Sequence, residues 1–234
     1  EYSFVITEDV ELQANFIETY DVALSVNIED SGVITGDGTY NNGETVTLTA
    51  TANEGYIFVN WTEDGEEVTA ETEFTFVITE DRSFVANFIA IYDVTLSINI
   101  EGAGEVTGAG TFTNGETVTV TATTNEGYAF VNWTEDGEVV STEAEYSFEI
   151  TEDRNLTANF IEIYDVTLSI NIEGAGTVTG DGTYSNGSTV TVVATANENY
   201  AFVSWTLNEE VVSTEAEYSF VITEDVELQA NFIE

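Results

Sequence analysis

The 234-residue chain has no cysteine, proline, methionine, histidine or lysine, and Arg82 and Arg154 are its only cationic side chains. Without cysteine there is neither a disulfide nor a thiolate metal site. Without lysine the Lys–Asn isopeptide cross-links that staple some surface fibres are excluded. With histidine missing as well, nucleophilic triads, Schiff bases and imidazole metal centres drop out. A carboxylate pair of glycosidase type is the one common catalytic arrangement left, and a copy of it in every unit of a repeating chain would be unusual. The chain is therefore read as no enzyme, with no catalytic, cofactor-binding or metal-ligating residues. No apolar run is long enough to cross a bilayer as a helix, and the sequence shows no signal peptide.

What the chain has in excess is acid: 45 Asp and Glu against the two arginines, for a formal net charge of −43. Hydrophobic residues still make up 42%, enough to build cores, so the charge does not indicate disorder. Nucleic acid, which needs a cationic surface that releases counterions, is excluded as a partner. An anionic membrane surface is repelled, and no direct membrane insertion is expected. The charge keeps chains soluble and apart, and salt or divalent cations would relieve its self-repulsion.

The organising feature is a period. The three tryptophans lie at 61, 133 and 205, with 133 − 61 = 72 and 205 − 133 = 72. Each sits in a copy of the stretch written Gly127-Tyr-Ala-Phe-Val-Asn-Trp133 in the middle repeat. A fixed period of this size marks a tandem array of small modules. The modules are placed at 20–91, 92–163 and 164–234, with 1–19 as the C-terminal hairpin of a preceding repeat. Residues 1–18, EYSFVITEDVELQANFIE, recur unchanged at 217–234, an offset of 217 − 1 = 216, or three periods. Arg82 and Arg154 are equivalent, whereas Val226 and Val10 take that place in the third copy and in the N-terminal segment. The expectation is a longer periodic protein with a three-module unit.

Within a module the apolar residues alternate. Val94, Leu96, Ile98 and Ile100 interleave with Thr95, Ser97 and Asn99, and Val118, Val120 and Ala122 interleave with Thr117, Thr119 and Thr121. That is the period of half-buried strands. Asn114-Gly115 and Asp136-Gly137 mark hairpin turns. No helical periodicity of useful length occurs. The expected fold is all-β: three antiparallel modules of about six strands each, small sandwiches or rolled sheets, in an elongated rod. No linker separates them. Phe160-Ile-Glu-Ile-Tyr-Asp-Val166 passes from one module into the next without the Gly, Ser or Pro of a flexible joint. Ile91, Tyr92, Ile161, Ile163 and Tyr164 are the expected residues of docked joints.

The ordered motifs Val106-Thr-Gly-Ala-Gly-Thr-Phe, Gly115-Glu-Thr-Val-Thr-Val-Thr-Ala, Gly127-Tyr-Ala-Phe-Val-Asn-Trp and Leu156-Thr-Ala-Asn-Phe160 resemble the divergent InlB B-repeat family. The resemblance runs through every module. Module three departs from it at Asn199, where the family has Gly, and at Ser204, where it has Asn. It implies a secreted or cell-surface protein of bacteria or archaea, in which such repeats serve as stalks, spacers or adhesive segments. The related B-repeat has a β-grasp-like fold, but no helix is legible here to support that topology. The family brings no catalytic residues.

Tyr56, Trp61, Tyr128, Trp133, Tyr200 and Trp205 are read as core anchors, since small modules without disulfides need large aromatic side chains. The competing reading is an exposed sugar-stacking platform. The acidic turns at 79–81, 151–153 and 223–225 are read as solvated, with loosely bound Ca²⁺ bridging as the alternative. Asn60, Asn132, Asn155 and Asn186 begin N-x-S/T sequons and are candidate glycosylation sites. The leading function is an extracellular structural repeat protein forming a stiff rod or filament, with adjacent repeats or subunits of the same kind as its partners. The alternatives are a surface adhesin or glycan-binding module, and a discrete filament subunit assembled by β-strand exchange through residues 1–18.

Overall fold

The computed structural model describes residues 2–234. Two compact units make up the chain, one reaching to Tyr92 and one spanning Asp93–Glu234. Both are all-β.

The first unit holds one repeat, with strands β1 (Thr19–Val26), β2 (Gly32–Thr35), β3 (Gly38–Asn41), β4 (Thr45–Ala52), β5 (Tyr56–Glu63), β6 (Glu66–Thr69), β7 (Glu73–Val77) and the start of β8 (Arg82–Ile98). Strict alternation fixes which face each strand buries. In β4, Val46, Leu48 and Ala50 are buried while Thr45 and Thr47 face water. One sheet runs β3-β1-β8-β5-β6. The other runs β2-β4-β7. Between them Trp61, Phe84, Ala86 and Phe88 of the first sheet meet Val46, Leu48 and Ala50 of the second. The sheets approach closely at Gly32, where a Cβ would stand 2.4 Å from the Phe88 ring and 2.7 Å from the Thr51 carbonyl.

The module is not purely antiparallel, the arrangement expected from the sequence. Its first and last strands pair in parallel, from Val22↔Arg82 to Val26↔Ala86. A parallel pair needs a long connection, and here the whole module between β1 and β8 supplies it.

The second unit holds two repeats. The first contains β9 (Gly104–Thr107), β10 (Gly110–Thr113), β11 (Thr117–Thr124), β12 (Tyr128–Glu135), β13 (Glu138–Ser141) and β14 (Glu145–Glu149). Then comes β15 (Arg154–Ile170), followed by β16 (Gly176–Thr179), β17 (Gly182–Ser185), β18 (Thr189–Ala196), β19 (Ala201–Leu207), β20 (Glu210–Ser213), β21 (Glu217–Val221) and β22 (Val226–Ile233). The last repeat has a sheet β20-β19-β22-β15-β17 over a three-stranded sheet β16-β18-β21. Its core gathers Val190, Val192, Ala194, Trp205, Ile222, Leu228, Ala230 and Phe232. Each repeat thus uses eight strand segments rather than about six. The glycine-punctuated stretch forms two short strands, and the residues after the Trp-strand turn form another. That turn, Asp136-Gly137, has φ of 50° and 86°, the left-handed pair that a tight two-residue hairpin requires.

Residues 2–18 differ from the expected hairpin. They form no strand and lie exposed along their whole length, although the same eighteen residues form β21 and β22 at 217–234. The reason is pairing. In the last repeat β22 is bonded on both sides, by β15 and β19, and β21 by β18. A two-stranded hairpin alone is marginal in water, and residues 2–18 have none of those partners among the described residues.

Candidate functional site: terminal-strand clamp and shared strand

The candidate site is the set of contacts that ties each repeat's beginning to its end and, within the second unit, one repeat to the next. The parallel pair is its centre. In the last repeat it runs from Val166↔Val226 to Ile170↔Ala230, and in the repeat before it from Val94↔Arg154 to Ile98↔Ala158. Where the backbone ladder ends, an asparagine extends it. Asn171 Nδ2 donates to the Phe232 carbonyl at 3.0 Å, and Phe232 N–H donates to Asn171 Oδ1 at 2.8 Å. Asn99 brackets Phe160 in the same way at 2.9 and 2.7 Å, and Asn27 brackets Phe88 at 2.9 and 2.8 Å. A side-chain amide carries one donor and one acceptor in the geometry of a peptide group, so it satisfies both backbone groups of the facing residue. Sequence reasoning passed over these asparagines. Their recurrence, 99 − 27 = 72 and 171 − 99 = 72, was the available signal.

At the other end of the pair an aspartate closes the ladder. Asp165 N–H donates to Asp225 Oδ1 at 2.9 Å, and Thr183 Oγ1 donates to Asp165 Oδ1 at 2.5 Å. Asp225 belongs to the acidic turn read as solvated. It is exposed, but its carboxylate serves the clamp.

The joint within the second unit is a single strand, β15. Its first half pairs with β12, Leu156↔Glu135 to Glu162↔Tyr128. Its second half pairs with β17, beginning at Ile163↔Ser185. No residue separates the two sets. Glu162, from the earlier repeat, is held by the later one: Asn186 N–H donates to its carbonyl at 2.8 Å, and Asn186 Nδ2 donates to its Oε2 at 2.8 Å. Tyr164 O–H donates to the same Oε2 at 3.1 Å. Ile163 N–H in turn donates to the Gly127 carbonyl at 2.9 Å. The Tyr164 phenol is held above its ordinary pKa by desolvation in the joint, by its bond to Glu162, and by the charges of Glu162 and Asp225.

A third feature lies at the rim of the core. Arg82 and Glu63 form a bidentate pair, Nε to Oε1 at 2.5 Å and Nη2 to Oε2, with the guanidinium 4.9 Å from the Phe84 ring centre. Arg154 pairs with Glu135 at 2.6–2.7 Å and stands 4.5 Å from the Phe148 ring centre. The Arg82 hydrogen bonds hold Glu63 below the usual carboxylate range, against partial desolvation. In the last repeat Leu207 and Val226 occupy these two places and join the apolar core.

Trp61, Trp133 and Trp205 are fully buried; Tyr56, Tyr128 and Tyr200 are half-buried at the core margin. Trp133 and Trp205 Nε1 donate to the Ala144 and Ala216 carbonyls at 3.2 Å. In the first repeat Thr72 stands at the equivalent place, and Trp61 Nε1 has no partner. Ile161, Ile163 and Tyr164 are half-buried in β15. Ile91 and Tyr92 are half-buried at the end of the first unit, where Ile91 N–H donates to the Gly55 carbonyl at 2.9 Å. Of the sequon asparagines, Asn60 is tied to Glu67 and Asn87, and Asn132 to Asn159. Asn186 is engaged by Glu162, and Asn155 is exposed with its Oδ1 bonded to Thr95.

The family model of the divergent InlB B-repeat domain matches residues 22–92, 94–163 and 166–234. The chain belongs to the divergent InlB B-repeat family. It carries three copies in tandem, and each match runs from one partner of the parallel clamp to the other. No curated protein sequence matches the chain. Among solved structures, a streptococcal ancillary pilin aligns over 91% of this chain and 99% of its own at 9% identity and a TM-score of 0.21. The titin I-band fragment I67–I69 aligns over 92% and 96% at 6% identity and a TM-score of 0.16. Overlap at those scores carries no argument about this chain.

Proposed function

We propose that this divergent InlB B-repeat chain is a tension-bearing structural segment of an extracellular or cell-surface protein, a stalk or filament of a bacterium or archaeon. The observation that carries this reading is the parallel pairing of each repeat's first and last strands. Tension drawn along the chain pulls the first strand back from its start and the last strand forward from its end. Because the two run side by side in the same direction, that tension shears all their hydrogen bonds together rather than opening them one by one. The unbroken β15 supports the same reading, since it passes tension from one repeat's clamp into the next with no slack between them. The heavy negative charge suits a segment that stays extended and does not bind its neighbours sideways. The partners on this reading are further repeats of the same kind. The glycan-platform alternative would need the Tyr and Trp side chains of that strand exposed; the three indoles are buried and Tyr56, Tyr128 and Tyr200 are half-buried.

Antibodies raised against the folded chain test the assignment by immuno-electron microscopy of intact cells of the producing organism. Label on stalks or filaments outside the envelope is the expected result. Label appearing only after the cells are opened would overturn it.

A further inference from the structure

Four asparagines begin an N-x-S/T sequon, and a tension-bearing role gives them no task. The folded chain treats the four differently. A glycan is attached through Nδ2, so the fold must leave that nitrogen to solvent. Asn60 is half-buried, donates from Nδ2 to Glu67 Oε2 at 2.8 Å and accepts from Asn87 Nδ2 at 2.8 Å. Asn132 is half-buried and accepts from Asn159 Nδ2 at 2.8 Å. Asn186 is exposed, but its Nδ2 is the donor that holds Glu162 Oε2 in the joint. Asn155 alone is both exposed and open at nitrogen. Its Oδ1 accepts from Thr95 Oγ1, and its Nδ2 makes no hydrogen bond among the described residues.

Its place in the strand accounts for that freedom. Asn155 is the second residue of β15, and Leu156 beside it is buried. Alternation therefore turns Asn155 and Thr157 together to the outer face of the sheet. Their partners across the parallel pair are the small hydroxyl residues Thr95 and Ser97, and Ser97 Oγ lies 2.9 Å from Thr157 Oγ1.

The flanking sequence makes the same selection. Bacterial oligosaccharide transferases require a carboxylate two positions before the asparagine as well as the hydroxyl residue two positions after it. Asp153-Arg154-Asn155-Leu156-Thr157 has both. The earlier place holds Phe58 before Asn60, Phe130 before Asn132 and Tyr184 before Asn186. Asp153 is exposed, and its Oδ1 accepts the Asp93 N–H at 2.9 Å. The other two repeats have no such acceptor, because Ser83 and Glu227 stand in the place of Asn155, with 155 − 83 = 72 and 227 − 155 = 72.

We propose that Asn155 carries an N-linked oligosaccharide, that Asp153 marks it for the transferase, and that the other three asparagines stay bare. The donor is an oligosaccharide carried on a polyprenyl diphosphate. The bond from the sugar's anomeric carbon to the lipid phosphate oxygen breaks, a bond from that carbon to Asn155 Nδ2 forms, and one Nδ2 proton is lost. An enzyme that binds residues 153–157 needs them off the sheet, so transfer comes before β15 pairs with β8 and β12. The finished repeat then leaves the product in solvent. The inference rests on the extracellular reading above, because donor and transferase act on exported chains, but its test reads the modification and not the location.

The chain is recovered from the producing organism, denatured and cleaved after glutamate. Each sequon then lies in a peptide of its own: 55–63, 127–135, 153–162 and 174–198. Mass spectrometry should find 153–162 heavier by an oligosaccharide and the other three at their unmodified masses. Two variants are expressed in the same organism, with buried-tryptophan emission as the check on folding. Asn155→Gln should lose the added mass, and so should Asp153→Asn, which keeps an Oδ1 for the Asp93 N–H. A bare 153–162 peptide from chain recovered outside the envelope overturns the inference and leaves the stalk reading standing. Sugar on any of the other three peptides overturns the selection of Asn155, and undiminished sugar in the Asp153→Asn variant overturns the role of Asp153. A glycosylated Asn155 on chain absent from stalks and filaments would uphold this inference while the stalk reading fell.

Discussion

Replacing Asn171 by alanine removes the amide that extends the terminal clamp of the last repeat and leaves every apolar core residue in place. Two hydrogen bonds go, Asn171 Nδ2 to the Phe232 carbonyl at 3.0 Å and Phe232 N–H to Asn171 Oδ1 at 2.8 Å. Both groups of Phe232 are then left without their partner beside a side chain that is buried in the core. A net bond contributes about 1 kcal/mol, and an orphaned, partly buried backbone group costs about 1–3 kcal/mol, so the expected loss is about 2–4 kcal/mol. For a small module that is a large part of its total stability. Aspartate at 171 should do no better than alanine. Its carboxylate can accept from Phe232 N–H but must face the Phe232 carbonyl with an oxygen instead of a donor. The assay is urea unfolding followed by Trp205 emission, in a background with Trp61→Phe and Trp133→Phe so that one indole reports one repeat. The midpoint should drop with the slope unchanged. A loss under about 0.5 kcal/mol, the range of ordinary surface substitutions, would refute the claim that the asparagine is part of the ladder.

Glu162→Ala removes the carboxylate that Asn186 and Tyr164 share; at a half-buried site this should cost about 1–2 kcal/mol. It should also separate the Trp133 and Trp205 unfolding midpoints and lower the Tyr164 phenol titration toward its ordinary value. In the unaltered joint the raised Tyr164 pKa means a stabilising contribution that is complete below the unfolded phenol value, near ~10, and is lost as pH rises through the folded one. Gly176→Ala places a Cβ 2.5 Å from the Thr195 carbonyl and 2.6 Å from the Phe232 ring; the Trp205 transition should fall by about 2–4 kcal/mol, as expected of strain forced into a packed core. Arg82→Val alone strands Glu63 and should destabilise the first repeat by about 1–3 kcal/mol, while Arg82→Val with Glu63→Leu, the pair found in the third repeat, should restore or exceed the starting stability. Because Glu63 is held low, the native pair stabilises above the ordinary glutamate range and loses that contribution as pH falls through the folded value. Acid titration followed by Trp61 should therefore show the double variant gaining on the unaltered chain at low pH.

Periodicity exposes some of these features and hides others. The tryptophan spacing and the threonine–valine alternation of 117–122 disclose repeats, strands and buried faces, because a strand's side chains alternate whichever strand it pairs with. For the same reason alternation is silent about partners. Nothing in Val166–Ile170 or Val226–Ala230 says that the two lie side by side and parallel, so an antiparallel module was the natural expectation. The apolar joint at 161–164 was visible as a linker without flexible residues, but not as the middle of one seventeen-residue strand. The change from Arg82 and Arg154 to Val226 was plain in the sequence. Its counterpart, the change from Glu63 and Glu135 to Leu207, lies on another strand and becomes meaningful only once β19 and β22 are neighbours. Residues 2–18 make the converse point: a perfect strand sequence forms no strand without the sheet that receives it.

Single-molecule stretching of the chain from its two ends tests the shear account most directly. Each repeat of 72 residues should yield in one all-or-none step, releasing about 240–260 Å of extended chain less the folded span of one strand, about 30 Å. Moving the attachment points on the last repeat to Val203 in β19 and Ile233 in β22 pulls that antiparallel pair apart from one end, since Ala201 and Ile233 lie opposite each other. The account predicts a markedly lower unfolding force for that peeling geometry than for the end-to-end pull, and a lower end-to-end force when Asn171 is alanine. Equal forces in the two geometries, or a gradual end-to-end extension without steps, would contradict it.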